Sequence, residues 1–183
     1  MIKMIKINSF WVNEVKNIIN GLNEGIKQKN SEVVKGYLLE LMKLLNEKYN
    51  YELRSSAAMA FVEISELYPK LLKKAIPIII DLLNDDDSFM ISYAINTLDN
   101  LFNEFPEEIK LSIKNMKKSL NTYDPSVRKI ALSLIKKIAL KFPSYLKNYE
   151  EILSELKLTS HDLDRNISSL ANEIIKLIEE KNL

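Results

Sequence analysis

The stretch Asp124-Pro125-Ser126-Val127-Arg128-Lys129-Ile130-Ala131, running on through Leu134, Ile135 and Ile138 to Phe142, decides how this chain folds. Val127, Ile130, Ala131, Leu134, Ile135, Ile138 and Phe142 recur at steps of three and four, which lines a single apolar stripe along an α-helix. Asp124 stands where a side-chain oxygen can accept from the free N–H groups of the first turn. Pro125 takes the first helical position, where a missing N–H costs nothing.

Working outward, the same signal returns at a fixed interval. Pro69, Pro106 and Pro143 are 37 residues apart, each behind an aromatic residue: Tyr68, Phe105 or Phe142. Asn50, Asp87 and Asp124 keep that interval, as do Leu53, Met90 and Val127, and Ala57, Ala94 and Ala131. A fourth copy, Asp164, Ile167 and Ala171, follows after 40 residues. A fixed period of this size signals stacked supersecondary units. Each of these helices (B) is preceded by another (A). In the second unit Leu72, Ala75, Ile76, Ile79, Ile80 and Leu83 form the A stripe, and Leu71, Ile78 and Leu82 widen it enough to face two neighbours. Pro77 lies inside that helix and is expected to kink it.

The spacing therefore predicts an all-α protein of about nine helices in a single domain. Helix pairs are expected over about 31–67, 69–104, 106–141 and 143–181, after an N-terminal capping helix over about 9–28. The cap carries Trp11, Val15, Ile18, Leu22 and Ile26. It also holds Gly21 and Gly25 which, with Gly36, are the chain's 3 glycines, so it reads as a looser element. End units must differ, because each pair has apolar surface on two sides and only stacking covers it.

Composition agrees and removes much chemistry. In 183 residues, 3 Gly and 5 Pro are too few for the turns of a sandwich or barrel. With no Cys there is no disulfide, thiolate nucleophile or zinc ribbon, and the lone His161 cannot build a multi-histidine metal site. Phosphate-binding glycine loops and the Gly-x-Ser-x-Gly elbow are absent. Asp85-Asp86-Asp87 reads as a turn into a helix, and His161, near Asp162 and Asp164, as lying in a solvated loop before the last B helix; no cofactor, metal or catalytic role is expected. Lysines interrupt every apolar run near the N-terminus, and no stretch approaches the roughly 20 apolar residues of a membrane span, so a cytoplasmic location without membrane insertion is expected.

These residues resemble the HEAT repeats, whose A helix ends in Pro-apolar-apolar and whose B helix opens with Val-Arg-x-x-Ala after an Asp-rich turn. Ile76-Pro77-Ile78-Ile79-Ile80-Asp81-Leu82-Leu83-Asn84-Asp85 is similar to the first part and Asp124–Ala131 to the second. Arg54 and Arg128 occupy the arginine position, while Ile91 and Ser168 replace it in units two and four. The resemblance covers about residues 31–181 and implies an armadillo-like α-α superhelix, a right-handed solenoid whose B helices line a concave face. A tetratricopeptide-like stack with a period of about 34 is the alternative.

Net charge is +1, yet it is unevenly spread. Residues 50–108 carry 4 Lys/Arg against 11 Asp/Glu, 109–147 carry 10 against 1, and 148–183 carry 4 against 8. Such asymmetry can raise a strong local potential. Two surfaces follow. The concave B face would present Met59, Glu63 and Glu66, then Tyr93, Asn96, Asn100 and Asn103, then Ser133 and Lys137, to a protein partner, with Leu140 as a further apolar anchor. Lys110, Lys114, Lys117 and Lys118 of the third A helix, with Lys129, Lys136 and Lys141 of the following B helix, would instead bind nucleic acid or another anionic surface. No interleaved aromatic series is present to stack bases. The leading expectation is a non-catalytic protein-binding scaffold; anion binding through 110–147 is the alternative, and self-assembly through the opposed acidic and basic blocks is a third reading.

Overall fold

The computed structural model describes residues 2–46 and 51–180; Asn50, first of the capping row, and the end of the fourth pair at 181 lie outside them. The described residues form α1 (Asn13–Lys27), α2 (Ser31–Leu44), α3 (Tyr51–Leu67), α4 (Ile76–Asp81), α5 (Ser88–Leu101), α6 (Pro106–Ile109), α7 (Lys117–Asn121), α8 (Pro125–Lys141), α9 (Pro143–Leu146), α10 (Glu150–Thr159) and α11 (Arg165–Glu180). Three 3-10 segments intervene, at Pro69–Ala75, Leu82–Asn84 and Lys110–Asn115. Among the described residues there is no strand, and no helix is long and apolar enough to cross a membrane. The protein is all-α.

The 37-residue interval is present in the backbone as well as in the sequence. Tyr68, Phe105 and Phe142 adopt φ/ψ of −138/56°, −133/50° and −134/56°. Each N–H closes the preceding B helix onto the carbonyl four residues back, Ile64, Leu101 or Ile138, and the following proline opens the next element. Proline disfavours helical geometry in the residue before it, and at these three places the chain turns, whereas Ile76 before Pro77 stays helical. At the other end, the Asp87 carboxylate accepts from the N–H groups of Phe89 (2.8 Å) and Met90 (3.1 Å), Asp124 from Ser126 (2.8 Å) and Asp164 from Asn166 (2.8 Å). Ala57, Ala94, Ala131 and Ala171 are all buried, the small side chain leaving room for a close neighbour.

The A helices depart from expectation. The second is not one kinked helix: it runs as 3-10 over Pro69–Ala75, as α4, and as 3-10 again over Leu82–Asn84. Pro77 is the second residue of α4, where its missing N–H breaks no bond, and Ile76 N–H instead bonds back three residues to Lys73. The third A helix is divided into α6, Lys110–Asn115 and α7, and the fourth into α9 and α10. These breaks account for eleven α-helices where about nine were expected. The apolar stripes nevertheless hold: Leu72, Ala75, Ile76, Ile79, Ile80 and Leu83, and likewise Ile109, Ile113, Met116 and Leu120, are buried.

The chain divides into two compact units, residues 1–78 and 79–183. In the first, α1 packs along α2, α3 lies against both, and Pro69–Ala75 rests on α3. The capping helix begins at Asn13 rather than near 9. Trp11, expected on that helix, precedes it and is buried in a turn, its N–H bonding back to the Asn8 carbonyl (3.2 Å) in the non-helical N-terminal segment. That segment is held because Ile5 N–H donates to Asn23 Oδ1 (2.8 Å) while Asn23 Nδ2 donates to the Ile5 carbonyl (2.9 Å), and the Tyr68 hydroxyl donates to the Lys3 carbonyl. In the second unit, α8 packs between α5 and α11, α10 packs against α7, and Leu82–Asn84, α7 and α10 pack against α5, α8 and α11 respectively.

The glycines of the cap allow close packing rather than looseness. A Cβ on Gly21 would overlap the Tyr37 ring, and one on Gly25 would lie 2.9 Å from Val33 Cγ1 and 3.3 Å from the Val34 nitrogen; Gly36 faces open space. Urea unfolding followed by circular dichroism should therefore separate them. Gly36→Ala is expected to stabilise by about 0.5–1 kcal/mol through reduced backbone entropy, and Gly25→Ala to destabilise by about 1–2 kcal/mol through overpacking.

Candidate functional site

The residues expected on the B face fall in both units. On α3, Met59 and Glu63 are half-buried and Glu66 is exposed. One turn earlier the row is closed: Ser56 is buried and its hydroxyl accepts from Val12 N–H (3.2 Å), so the N-terminal segment covers this end. In the second unit Tyr93, Asn96 and Asn100 are half-buried on α5, while Asn103 lies past its C-terminus, exposed. Ser133 and Leu140 are exposed on the adjacent α8. Lys137 Nζ reaches across to Asp99 Oδ1 at 2.6 Å. The structure thus gathers Tyr93, Asn96, Asn100, Ser133 and Lys137 on two packed helices. Burial pushes the Tyr93 phenol up, with the Asp87 charge adding to it. Tyr93 therefore spends part of its ring on packing.

The basic block is engaged with acids of the flanking segments. Toward the preceding residues, Lys118 Nζ lies 2.5 Å from Asp86 and donates to the Asn84 carbonyl, and Lys137 reaches Asp99. Toward the following residues, Lys136 pairs with Glu173 at 2.6 Å and Lys117 lies 3.6 Å from the buried Glu155. Lys110 is held by Glu107 at 2.5 Å, its ammonium 4.8 Å from the Phe142 ring centre and 5.1 Å from that of Tyr145. Lys141 lies 5.8 Å from the same Phe142 ring. Burial, then the 2.7 Å hydrogen bond with Tyr149, pushes the Tyr145 phenol up to about 12. Lys114 shares a shallow depression with Lys147, Glu150 and Glu151, so acids lie there too. Lys129 is exposed. The positive block acts chiefly as an internal tie between two negative ones.

Its strongest link is Arg128. Nε donates to Asp162 Oδ2 (2.8 Å), Nη2 to Oδ1 (3.2 Å), and Nη1 to the carbonyls of Thr122 (2.8 Å) and Tyr123 (3.1 Å). The two side chains are only 17% and 11% exposed, which separates this pair from the surface ones. Burial pushes the Asp162 carboxyl up, but the Arg128 hydrogen bond, the Asp164 N–H and the Arg128 charge together hold it below the usual carboxylate range. The sequence indicated Arg128 but gave it no partner; the pairing with Asp162 is 34 residues in span and needs the fold to be seen. His161 beside it is exposed, and Asp85 accepts from Asp87 N–H (3.0 Å), which explains the Asp run as turn and cap.

No protein-family model matches the chain, and no curated protein matches it in sequence. Among solved structures, two crystal structures of engineered proteins from the Northeast Structural Genomics Consortium are similar, each with a TM-score of 0.66 and 20% identity over 90% of this chain. The matched part is 72% of one engineered chain and 44% of the other. At that identity the likeness speaks for the all-helical fold alone.

Arg128→Ala strands a largely buried carboxylate and is expected to cost about 3 kcal/mol in denaturant unfolding at neutral pH. The sign of the pH dependence follows from the lowered Asp162 value. Its contribution is present above the unfolded value of about 4 and fades as the pH falls through the lower folded one, so the gap between wild type and Asp162→Asn narrows on acidification below about pH 4.

Proposed function

We propose that the chain is a HEAT-like stack of helix pairs, a right-handed α-α superhelix, that works as a non-catalytic scaffold binding a protein partner along its B helices. The recurrence of one junction geometry at Tyr68, Phe105 and Phe142, with equivalent aspartate caps and buried alanines, supports the stack. The observation that carries the functional reading is the fate of the basic block. Lys110, Lys117, Lys118, Arg128, Lys136 and Lys137, six of the block's ten cations, are paired with carboxylates, so much of its positive charge is already compensated. Half-buried Asn96 and exposed Asn103 and Ser133, by contrast, offer uncharged donors and acceptors on the B surface. Half-buried Tyr93 and exposed Leu140 add apolar contact beside them, the mixture found at protein interfaces.

The test compares wild type with the double variant Asn103→Arg, Ser133→Arg, both positions exposed. Affinity capture from source cells should retain a partner that the variant loses, with unchanged thermal unfolding; an identical set of captured proteins would remove the B face from consideration. Duplex DNA titrated at low salt should give no saturable binding at micromolar protein. Tight binding that weakens steeply with salt and is lost in Lys114→Glu, Lys129→Glu would instead establish the anion-binding reading.

A further inference from the structure

We propose a second docking site, separate from the B face: a groove in the first unit, between α2 and the Pro69–Ala75 segment, that receives an amphipathic helix of a protein partner bearing acidic residues on both sides of its apolar stripe. The groove follows from the composition of α2. Val34, Leu38, Leu41 and Leu44 form the stripe that the neighbouring helices bury. Leu39 and Met42 lie off that stripe and give α2 a further apolar edge. Leu39 is 56% exposed. On the side of α2 facing Pro69–Ala75, a cavity of about 520 Å³ opens, and a smaller one of about 110 Å³ shares its Lys35, Leu38, Leu71 and Lys74 walls. The floor is apolar, with Val34 and Leu38 from α2 and Leu71 from the opposite wall.

The rim names the occupant. Lys29 stands on the wall formed by the end of α1 and by α2, and Lys74 on the other; Lys35, Lys70 and Lys73 also line the rim but have interactions of their own, which leaves Lys29 and Lys74 to meet a partner's carboxylates. Among the described residues no Asp or Glu lines either cavity, although Glu32 reaches Lys35 from outside at 2.6 Å. Lysines divided between two walls above an apolar floor complement a helix that inserts Leu-type side chains at i, i+3, i+4 and i+7 and carries carboxylates along both flanks. A fatty acid would supply a single carboxylate and leave one wall unmatched. A nucleic acid would meet an apolar floor whose aromatics are the buried Phe61 and the half-buried Tyr68, the latter's hydroxyl already bonded to the Lys3 carbonyl.

The experiment uses the full chain and two labelled peptides of eighteen residues, each with leucines at those positions, one flanked by glutamates and its twin by lysines, read by fluorescence anisotropy. The acidic peptide is expected to bind at least tenfold more tightly than its twin, and more weakly as salt rises. Leu39→Glu and Lys74→Glu, both at exposed positions, should each reduce its affinity at least tenfold with the circular dichroism spectrum unchanged. Ser133→Arg, on the B face, should leave it as in wild type, so this site and the B face succeed or fail separately. Equal affinity for the two peptides, no binding of the acidic one, or binding indifferent to both groove variants overturns the proposal, as does tight binding of oleate that the acidic peptide cannot displace.

Discussion

Helix α8 leaves one narrow stripe wet, through Lys129, Ser133 and Leu140, and buries most of the rest. Ala131, Leu132, Leu134, Ile135, Ile138 and Ala139 are all buried, and they point in too many directions for one neighbour to cover. Three elements close around it: α7 from its own pair, α5 before it and α11 after it. Fully burying a Leu or Ile side chain is worth about 1.5–3 kcal/mol, so this one helix commands more free energy than the unit's exposed ion pairs combined. The order of helices in the second unit follows from that demand.

Charge then refines what apolar burial requires. Pairs such as Lys136–Glu173 and Lys137–Asp99, with side chains a third to a half exposed, contribute about 0–1 kcal/mol each. Their value is in register. A positive block between two negative ones is satisfied when its segments are neighbours in chain order, and a swapped order would set like charges together. Arg128 and Asp162 do more, because both are largely withdrawn from water and the guanidinium also satisfies two loop carbonyls. That clamp joins the loop entering α8 to the loop entering α11.

The first unit solves its packing differently. Besides the pair α2 and α3 it has a non-helical N-terminal segment, pinned by Asn23 and Tyr68, and a glycine-mediated contact between α1 and α2. Removing side chains at Gly21 and Gly25 brings two helices together more closely than the periodicity suggests. Covering Ser56 with Val12 also shortens the surface that the B helix α3 offers to a partner.

The sequence by itself determined the helical content, the turn at each aromatic-proline pair, the aspartate caps and the buried alanines. All are local consequences: proline disfavours helix in the residue before it, a carboxylate at a helix start finds free N–H groups, and apolar steps of three and four make one face. Positions off the apolar stripe were legible for the same reason, but the fold leaves most of the B-face candidates, Met59, Glu63, Tyr93, Asn96, Asn100 and Lys137, half-buried. Tertiary structure alone decided which lysines remained available, that the A helices would break into 3-10 and α pieces, and that Trp11 would be buried outside a helix. These depend on partners 30 or more residues away, or on how closely two helices approach, and no periodicity within one helix encodes a neighbour's charge or distance.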